Sequence, residues 1–358
     1  MRSNRSTDKL HLFQGNSVYT NAYIDFVNRY FTDESHLFLV LGSTQPSKNI
    51  SPSNIINISR FRDLLRYKKC LQKCKKIILH GFFYEGLPLL FWAFNQKLLG
   101  KSYWSMWGGD LYFYKFREKY LRSDIDELMR KQVFRKMGNI TTLVRGDYEL
   151  AKSVYRTRAR YFPTFYPNPV DFSIFNKLSN PIETINQRTL LLGNSASPRN
   201  NHIEIIRAIS RFKNKGIRVI CPLGYGDMEY AKRVIEEGKH VLGDNFFPLT
   251  EFLNPEEYAK ILYSVEIGIF NHDRQQGFST IIALLYLGKK VYIRDDTTLW
   301  TFFRDTHMEV FNTQEIYKDE FDSLFTMNDT SRLNNRNSVL KELSIEKCVT
   351  YWKKVFES

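Results

Sequence analysis

The chain has 358 residues, of which 43% are hydrophobic and 25% are charged. This length suits two globular domains, and this balance excludes an intrinsically disordered chain. The net charge of +14 lies in one half: residues 1–170 contain 28 Lys and Arg against 13 Asp and Glu, whereas the remainder contains 24 against 25. A basic half predicts an anionic partner. Because no recognised nucleic-acid motif accompanies it, we expect an anionic membrane surface and no nucleic acid.

Neither a signal peptide nor a membrane-spanning segment is predicted. Met1–Lys9 is short and polar, and the longest apolar stretch, Phe82–Phe94, contains Glu85 and Pro88. The four cysteines lack the spacing of a disulfide framework or a metal site, which predicts free thiols in a reducing compartment. We therefore expect a cytoplasmic protein that at most touches a membrane.

Short apolar runs that end at Gly alternate with segments of helical spacing along the chain. The predicted strands are Leu10–Phe13, His36–Leu41, Lys76–His80, Ser102–Trp107, Ile140–Val144 and Tyr161–Phe165, then Thr189–Leu192, Arg218–Cys221, His240–Leu242, Val265–Phe270 and Lys290–Ile293. Helices are predicted at Ala22–Tyr30, Phe61–Lys76, Leu87–Leu99, Phe278–Leu287 and Ser338–Phe356. This alternation predicts an α/β fold with parallel sheets. We expect domains at 1–168 and 188–337, a linker rich in Pro, Asn and Ser at 169–187, and a C-terminal helical segment at 338–358.

A polar loop follows the first strand of the second half, at the end of the strand where parallel sheets bind ligands. Gly193, Asn194 and Ser195 form the turn, and Arg199 and Asn201 precede the next helix. Backbone N–H groups in such a turn suit a diphosphate, and Arg199 adds a charge-assisted contact. An ordinary loop with an Asn or Ser helix cap is the alternative.

Two further loops of the second half are candidates for the same ligand. Leu223, Gly224 and Tyr225 follow the second strand, where a base can stack on the Tyr225 ring; a tight turn is the alternative. The third loop gives the strongest signal. It places Arg274, Gln275, Gln276 and Gly277 before an apolar helix, whose amino end favours an anion.

The first half has charged or titratable residues beside Gly at three strand ends: His80, Asp110 after Trp107 and Gly108, and Arg145 with Asp147. A hydroxyl group that acts as a nucleophile needs a general base. Asp110 is the first candidate and His80 the second, although His80 is also consistent with a hydrogen-bonded packing residue. Asp147 is also consistent with a helix cap.

No metal and no cofactor are predicted. Asp124-Ile125-Asp126 matches the letters of a metal-binding D-x-D pair, but it lies in a charged helical stretch and not after a strand. Arg274 and the helix termini would then neutralise a leaving diphosphate. The basic segments Arg62–Lys76 and Tyr112–Arg122 interleave aromatic residues, which is typical either of a membrane interface or of a solvated helix face.

Several of these motifs occur together and in order between about residues 80 and 295. The most specific are Trp104–Tyr112 (WSMWGGDLY), Leu192–His202 (LGNSASPRNNH) and Arg274–Gly277 (RQQG). In these motifs the chain resembles the TDP-4-acetamido-4,6-dideoxygalactose (Fuc4NAc) transferases, glycosyltransferase family fifty-six. Residues 1–35 match poorly, and Gly109 stands where the family pattern has Ala.

The resemblance implies a GT-B fold of two facing Rossmann-like domains, with a dTDP-sugar donor held mainly by the C-terminal domain. It also implies an undecaprenyl-diphosphate-linked acceptor over the N-terminal domain, on the cytoplasmic face of the bacterial inner membrane. Trp107, Gly108, Arg145 and Asp147 would then lie on the acceptor side, and the segment 338–358 would pack on the N-terminal domain. Another 4-amino-4,6-dideoxyhexose donor, a non-catalytic membrane or nucleic-acid-binding protein, and a sugar epimerase are the alternatives.

Overall fold

The computed structural model describes residues 8–15, 17–42, 54–167, 172–178 and 187–358. The chain divides into two compact units, each with its own parallel sheet and core. Unit 1 comprises Met1–Pro169 and Ile345–Ser358, and unit 2 comprises Val170–Ser344. Within the described ranges, no helix is both long enough and apolar enough to cross a bilayer.

Unit 1 contains a seven-stranded sheet. Its strands are β1 (Lys9–Phe13), β2 (His36–Leu41), β3 (Ile55–Ile58), β4 (Lys76–His80), β5 (Ser102–Ser105), β6 (Asn139–Thr141) and β7 (Arg160–Phe162). They are parallel in the order β3-β2-β1-β4-β5-β6-β7, so the strand order reverses between β1 and β4. The strands nearest this switch point are apolar runs because helices cover both faces of the sheet.

Seven helices connect these strands. They are α1 (Val18–Tyr30), α2 (Lys68–Lys73), α3 (Gly86–Phe94), α4 (Gln96–Gly100), α5 (Phe113–Phe116), α6 (Leu121–Lys136) and α7 (Arg145–Tyr155), with a 3₁₀ helix at Phe61–Tyr67. Ser17 caps α1 by accepting a hydrogen bond from the Thr20 N–H. Trp92, Trp104 and Phe134 lie in the core between the sheet and these helices.

Unit 2 repeats the same architecture with six strands. They are β8 (Arg188–Leu192), β9 (Ile217–Pro222), β10 (Phe246–Leu249), β11 (Ile267–Phe270), β12 (Lys290–Ile293) and β13 (Phe311–Asn312), in the parallel order β10-β9-β8-β11-β12-β13. The strand order therefore reverses between β8 and β11. This is the Rossmann-type arrangement, whose ligands bind at the carboxyl ends of the strands beside the reversal.

The helices of unit 2 are α8 (Ser173–Asn176), α9 (His202–Ile209), α10 (Met228–Leu242), α11 (Pro255–Ser264), α12 (Phe278–Tyr286), α13 (Thr298–Asp305), α14 (Phe321–Phe325) and α15 (Asp329–Glu342). Short 3₁₀ helices lie at Pro198–Asn200, Ser210–Phe212, Gly243–Asn245 and Thr313–Tyr317. Residues Ile281–Tyr286 of α12 are all buried. Asp227 caps α10 by accepting from the N–H groups of Glu229 and Tyr230.

The last helix, α16 (Ile345–Glu357), belongs to unit 1. The buried Trp352 donates from Nε1 to the Phe165 carbonyl at 2.9 Å, and the Lys76 ammonium donates to the carbonyls of Val355 and Phe356 at 2.9 and 3.0 Å. The two bonds from Lys76 satisfy carbonyl groups at the end of the helix that have no partner within it.

The structure corrects several predicted elements. The predicted strand His240–Leu242 is the last turn of α10, because the amphipathic pattern of that helix continues through it, and the strand is β10 instead. The predicted helix Ser338–Phe356 is broken between α15 and α16, so its first residues belong to unit 2. The short strands β3 and β13 were not predicted. The predicted linker 169–187 lies largely outside the described residues.

Candidate active site

The loops that follow β8 and β11 are joined by one buried side chain, Asn200. Its amide oxygen lies 2.6 Å from His272 Nε2 and accepts from the Asn194 N–H at 3.3 Å, while its amide nitrogen donates to the Ser195 carbonyl at 3.0 Å. Asn201 makes a second link, donating from Nδ2 to the Asn271 carbonyl at 2.9 Å. The two loops beside the strand-order reversal are therefore held as one structure.

Gln276 joins these loops nearer the surface. Its Nε2 lies 3.3 Å from Asn194 Oδ1 and 3.2 Å from Ser195 Oγ. Asn194 in turn donates from Nδ2 to the Tyr225 hydroxyl at 3.0 Å, which adds the loop after β9. The structure thus brings together polar residues that the sequence placed in three separate loops.

Two glycines allow close packing within these loops. Gly193 has φ +70°, and a Cβ there would lie 2.3 Å from His202 Nε2. Gly277 has φ +67°, and a Cβ there would lie 2.7 Å from His272 Cε1. Both positions combine a left-handed backbone with a close contact, so a side chain would distort the loop that contains it.

The two arginines of these loops have different surroundings. Arg199 forms an ion pair with Asp273 at 3.2 Å, which is a further link between the loops after β8 and β11. Arg274 is half-buried and donates to the Gln275 carbonyl at 3.3 Å. Its charge lies near His272, whose pKa it helps to lower. A guanidinium beside the amino end of α12 suits an anionic ligand.

The loop after β9 contributes an exposed ring and a close backbone contact. Tyr225 is half-exposed, whereas the Leu223 side chain lies in the core of unit 2, so only its backbone can contact a ligand. A Cβ at Gly224 would lie 2.5 Å from the Glu251 carbonyl oxygen, so this glycine allows the loop after β9 to contact the loop after β10.

Two buried histidines of this region are neutral. Burial lowers the pKa of His202 to about 3, and it lowers the pKa of His272 to about 3 with a smaller contribution from His202 and Arg274. A neutral His272 uses Nε2 toward Asn200 and adds no charge to the site. Positive charge near α12 therefore comes from Arg274.

In unit 1, Asp110 is fully buried and its carboxylate is saturated. One oxygen accepts from the Phe82 N–H at 2.9 Å and from Trp104 Nε1 at 2.6 Å; the other accepts from the N–H groups of Trp107 and Leu111 at 3.0 and 3.1 Å. Burial raises the pKa of Asp110, and the bond from Trp104 is the largest opposing influence. With all four bonds made inside the protein, this geometry favours an anchoring role over the predicted role of general base.

His80 lies at the end of β4 and is also buried. Its Nδ1 lies 2.5 Å from the Tyr166 hydroxyl, and that hydroxyl accepts from Trp107 Nε1 at 2.8 Å. Burial lowers the pKa of His80 well below its ordinary value, so the ring is neutral. The half-buried Tyr166 and Trp107 stand between His80 and the surface of unit 1.

The other predicted acceptor-side residues are less closely connected. Gly108 has φ +81° and its carbonyl accepts from the N–H groups of Leu111 and Tyr112, which shapes the loop after β5. Asp147 is buried in the first turn of α7, 3.5 Å from the Tyr112 hydroxyl. Arg145 is exposed and pairs with Glu149 at 3.7 Å. Within the part of the chain that the structure describes, no hydrogen bond links Arg145 to Trp107 or His80.

Residues outside the predicted set carry much of this geometry: Asn200 and His272 in unit 2, and Tyr166 and His11 in unit 1. Asn200 and His272 lie inside loops that the sequence had singled out, so their polarity beside a strand end was an available signal. His11 offered a weaker signal, a single imidazole in the apolar run Lys9–Phe13.

The sequence matches, over residues 18–328, the family described as 4-alpha-L-fucosyltransferase glycosyl transferase group 56. The fold is similar to that of a glycosyltransferase from Rickettsia africae, with a TM-score of 0.70 at 11% identity, covering 99% of this chain and 98% of that one. It is also similar to a UDP-forming trehalose-phosphate synthase from Burkholderia xenovorans, with a TM-score of 0.67 at 9% identity and 98% coverage of both chains.

A third similar structure is the N-terminal domain of a Candida albicans trehalose-6-phosphate phosphatase, with a TM-score of 0.66 at 9% identity, covering 100% of this chain and 98% of that one. At such low identity these structures establish the fold alone. The family match spans most of the chain, and it decides against a non-catalytic binding protein and a sugar epimerase. The chain therefore belongs to glycosyl transferase group 56 and is a nucleotide-sugar glycosyltransferase with the GT-B fold, as its motifs had predicted.

Proposed function

We propose that the protein transfers a 4-acetamido-4,6-dideoxyhexose of the Fuc4NAc type from a dTDP-sugar to a polyprenyl-diphosphate-linked oligosaccharide, in the synthesis of a bacterial surface polysaccharide such as O-antigen or common antigen. The motifs that suggested this sugar are those of the family that the chain matches over residues 18–328. The family description names fucose, which is a 6-deoxyhexose like the proposed sugar.

The observation that carries the donor assignment is the network at the strand-order reversal of unit 2. Asn194, Ser195 and Gln276 are linked across two loops, and Gly277 opens α12 beside them. An anion at this position would meet the amino end of α12 and the guanidinium of Arg274. The half-exposed Tyr225 ring, bonded to Asn194, is placed to stack on a base.

Binding of dTDP tests this assignment directly. At a dTDP concentration about 100 times its Kd, the free energy of unfolding should rise by about 2.7 kcal/mol, measured as a higher Tm. We expect a larger shift with dTDP than with UDP or GDP at the same concentration. If no nucleotide raises the Tm, the proposed donor site is wrong. If UDP raises the Tm more than dTDP does, the donor is a UDP-sugar and not a dTDP-sugar. Transfer assays with a panel of dTDP-sugars and defined lipid-linked acceptors then identify the sugar.

The acceptor is a lipid, and unit 1 carries a surface suited to a membrane. Leu121, Ile125 and Leu128 follow one another at helical spacing on α6, yet 77%, 49% and 62% of their surfaces are exposed. Leu87 of α3 is 79% exposed, and the adjacent Gly86 donates to Asp126 of α6 at 3.1 Å, so α3 begins beside this stripe. Globular proteins seldom expose such an apolar stripe to water.

Basic residues flank this apolar stripe. Arg122 in the first turn of α6 and Lys119 just before that helix are both exposed, and both lie within the basic segment Tyr112–Arg122. Apolar side chains among lysines and arginines favour the interface of an anionic bilayer. In this function the stripe would hold unit 1 on the cytoplasmic face of the inner membrane.

Negative charge introduced into the apolar stripe should weaken membrane binding. We expect the double variant Leu121→Glu/Ile125→Glu to bind phosphatidylglycerol vesicles at least about tenfold more weakly in a sedimentation assay, a loss of about 1.4 kcal/mol. Leu333→Glu/Leu340→Glu adds the same two negative charges at exposed positions of α15 in unit 2 and should have no effect. Equal loss in both proteins would show that net charge, and not the stripe, controls binding.

A further inference from the structure

Three buried histidines form a continuous hydrogen-bonded chain across the sheet of unit 1. His36 Nδ1 lies 2.9 Å from His11 Nε2, and His11 Nδ1 lies 3.1 Å from His80 Nε2. His80 Nδ1 then lies 2.5 Å from the Tyr166 hydroxyl. The chain crosses from the start of β2, through the middle of β1, to the end of β4 at the switch point.

The far end of the chain meets a carboxylate. His36 Nε2 lies 3.4 Å from Glu34 Oε2, and the same carboxylate is paired with Lys9. Glu34 is about a quarter exposed, in contrast to the histidines, which are buried. The hydrogen-bonded series therefore runs from Tyr166 to His36 and ends beside a partly exposed carboxylate, at ion-pair distance and without a hydrogen bond to it.

The negative charge of Glu34 favours one direction for the protons of the three histidines. Its Oε2 atom lies 3.4 Å from His36 Nε2, outside hydrogen-bond geometry, and its charge favours the tautomer in which His36 carries its proton on Nε2 and accepts at Nδ1. His11 must then donate from Nε2 and accept at Nδ1, and His80 must do the same. Tyr166 consequently donates its proton to His80, and its oxygen is left as an acceptor, toward Trp107 Nε1 at 2.8 Å and Ser105 Oγ at 3.1 Å.

This assignment requires all three histidines to be neutral. Burial is the main reason that the pKa of His11 and of His80 lies well below the ordinary value, and it lowers the pKa of His36 to about 3. Tyr23, Trp352 and Phe356 pack against the imidazoles and keep them dry. Among the described residues, no group of three or more His, Cys, Asp or Glu is placed to hold a metal ion, so the three histidines are not a metal centre.

We propose that Glu34, His36, His11 and His80 form a proton relay that withdraws a proton through Tyr166 from the acceptor hydroxyl during sugar transfer. This inference rests on the proposed function and deepens it, because it supplies the base that the saturated carboxylate of Asp110 does not provide. Ser105 can rotate its hydroxyl, which lets an acceptor hydroxyl take its place as a donor to the Tyr166 oxygen.

The proton balance closes without a charged histidine. As the acceptor oxygen bonds to the anomeric carbon and the bond from that carbon to the diphosphate breaks, the acceptor proton passes to the Tyr166 oxygen. The tyrosine proton passes to His80 Nδ1, and each imidazole releases its Nε2 proton to the next ring. His36 releases the last proton to Glu34 once that partly exposed side chain closes the 3.4 Å gap between them. The leaving diphosphate takes the electron pair of the broken bond. When product leaves and water reaches Tyr166, the proton returns by the same route and restores the original tautomers.

The tautomers can be measured without any activity. The protein contains seven histidines, and ¹⁵N NMR of histidine-labelled protein distinguishes Nε2–H from Nδ1–H rings. We expect His11, His36 and His80 to be neutral Nε2–H tautomers at pH 7. A single Nδ1–H ring, or an imidazolium, among the three would overturn the proposal.

Interrupting the relay in its middle tests its role in transfer. His11→Phe leaves Tyr166 and His80 in place, and we expect the single-turnover rate to fall by about 100-fold, as for loss of general base catalysis, with unchanged affinity for dTDP. The rate is then measured in mixtures of H₂O and D₂O. A plot of rate against deuterium fraction should be curved for the wild type, because several protons move together, and linear for His11→Phe. A rate equal to that of the wild type would refute the relay.

Tyr23→Phe is the matched control, since its ring packs on the same imidazoles and its hydroxyl has no hydrogen-bond partner among the described residues. It should keep the wild-type rate; a loss as large as that of His11→Phe would assign the effect to packing and overturn the relay. If His11→Phe does not fold, the tautomers of the wild-type protein decide. If no dTDP-sugar is transferred by the wild type, the proposed function fails, and the measured tautomers still accept or reject the ordered chain.

Discussion

Replacing Asp110 by Asn is expected to lower the free energy of unfolding of unit 1 by about 3–5 kcal/mol, because it leaves buried N–H donors without an acceptor at about 1–3 kcal/mol each. The carboxylate accepts four hydrogen bonds, two of them from the backbone N–H groups of Trp107 and Leu111. An amide would direct N–H groups at some of these donors. Arg130, buried beside it and bonded to the Asp110 carbonyl at 2.6 Å, would lose a neighbouring opposite charge.

The measurement is urea or thermal unfolding followed by tryptophan fluorescence. Four of the five tryptophans belong to unit 1, so the signal reports mainly on the unit that carries the substitution. A loss of this size should lower the Tm by about 10 °C. Asp124→Asn provides the control: its side chain is 56% exposed and pairs with Arg117 on the surface, so we expect less than about 1 kcal/mol.

The same variant separates the two roles of Asp110. If Asp110 is an anchor, activity assayed well below the new Tm should survive in the folded fraction. If Asp110 is the general base, the protein should keep its stability and lose its transfer rate while still binding dTDP. A stable, inactive Asp110→Asn would restore the base assignment and leave the histidine relay without a purpose.

The parallel strands and the polar loops that follow them were accessible from the sequence because they depend on local patterns. Apolar runs that end in Gly, such as His36–Leu41 and Lys76–His80, identify buried parallel strands whatever surrounds them. Polar residues after such runs then fall at the carboxyl edge of the sheet by topology alone. This reasoning located the loops of Asn194 and Arg274 before any distance was known.

The roles of individual side chains were less accessible because they depend on partners distant in the chain. Asp110 follows a strand and a glycine turn, as a catalytic acid often does, and only the fold brings Phe82 N–H and Trp104 Nε1 onto its carboxylate. The contact between His11 and His80 spans 69 positions and requires the register of β1 against β4. No periodicity in the sequence encodes that pairing.

Arg274 is the residue of unit 2 whose loss should most reduce donor binding. We expect Arg274→Ala to weaken the binding of dTDP-sugar by about 10- to 100-fold, the effect of losing a charge-assisted hydrogen bond to the diphosphate, about 1.5–3 kcal/mol. The transfer rate should fall as well, since negative charge grows on the departing diphosphate. Isothermal titration with dTDP and single-turnover kinetics measure the two effects separately.

Two further variants test whether the guanidinium of Arg274, and not positive charge in general, binds the diphosphate. Arg274→Lys keeps the charge but loses the planar fork of donors, so it should bind dTDP with an affinity between those of the wild type and Arg274→Ala. Arg304→Ala removes an exposed guanidinium from α13 of the same unit and should leave affinity and rate unchanged. Equal weakening by Arg274→Ala and Arg304→Ala would mean that the general positive potential of unit 2 attracts the nucleotide. Unchanged affinity in Arg274→Ala would place the diphosphate away from the amino end of α12, because an anion bound there could not be indifferent to the guanidinium three residues before Gly277.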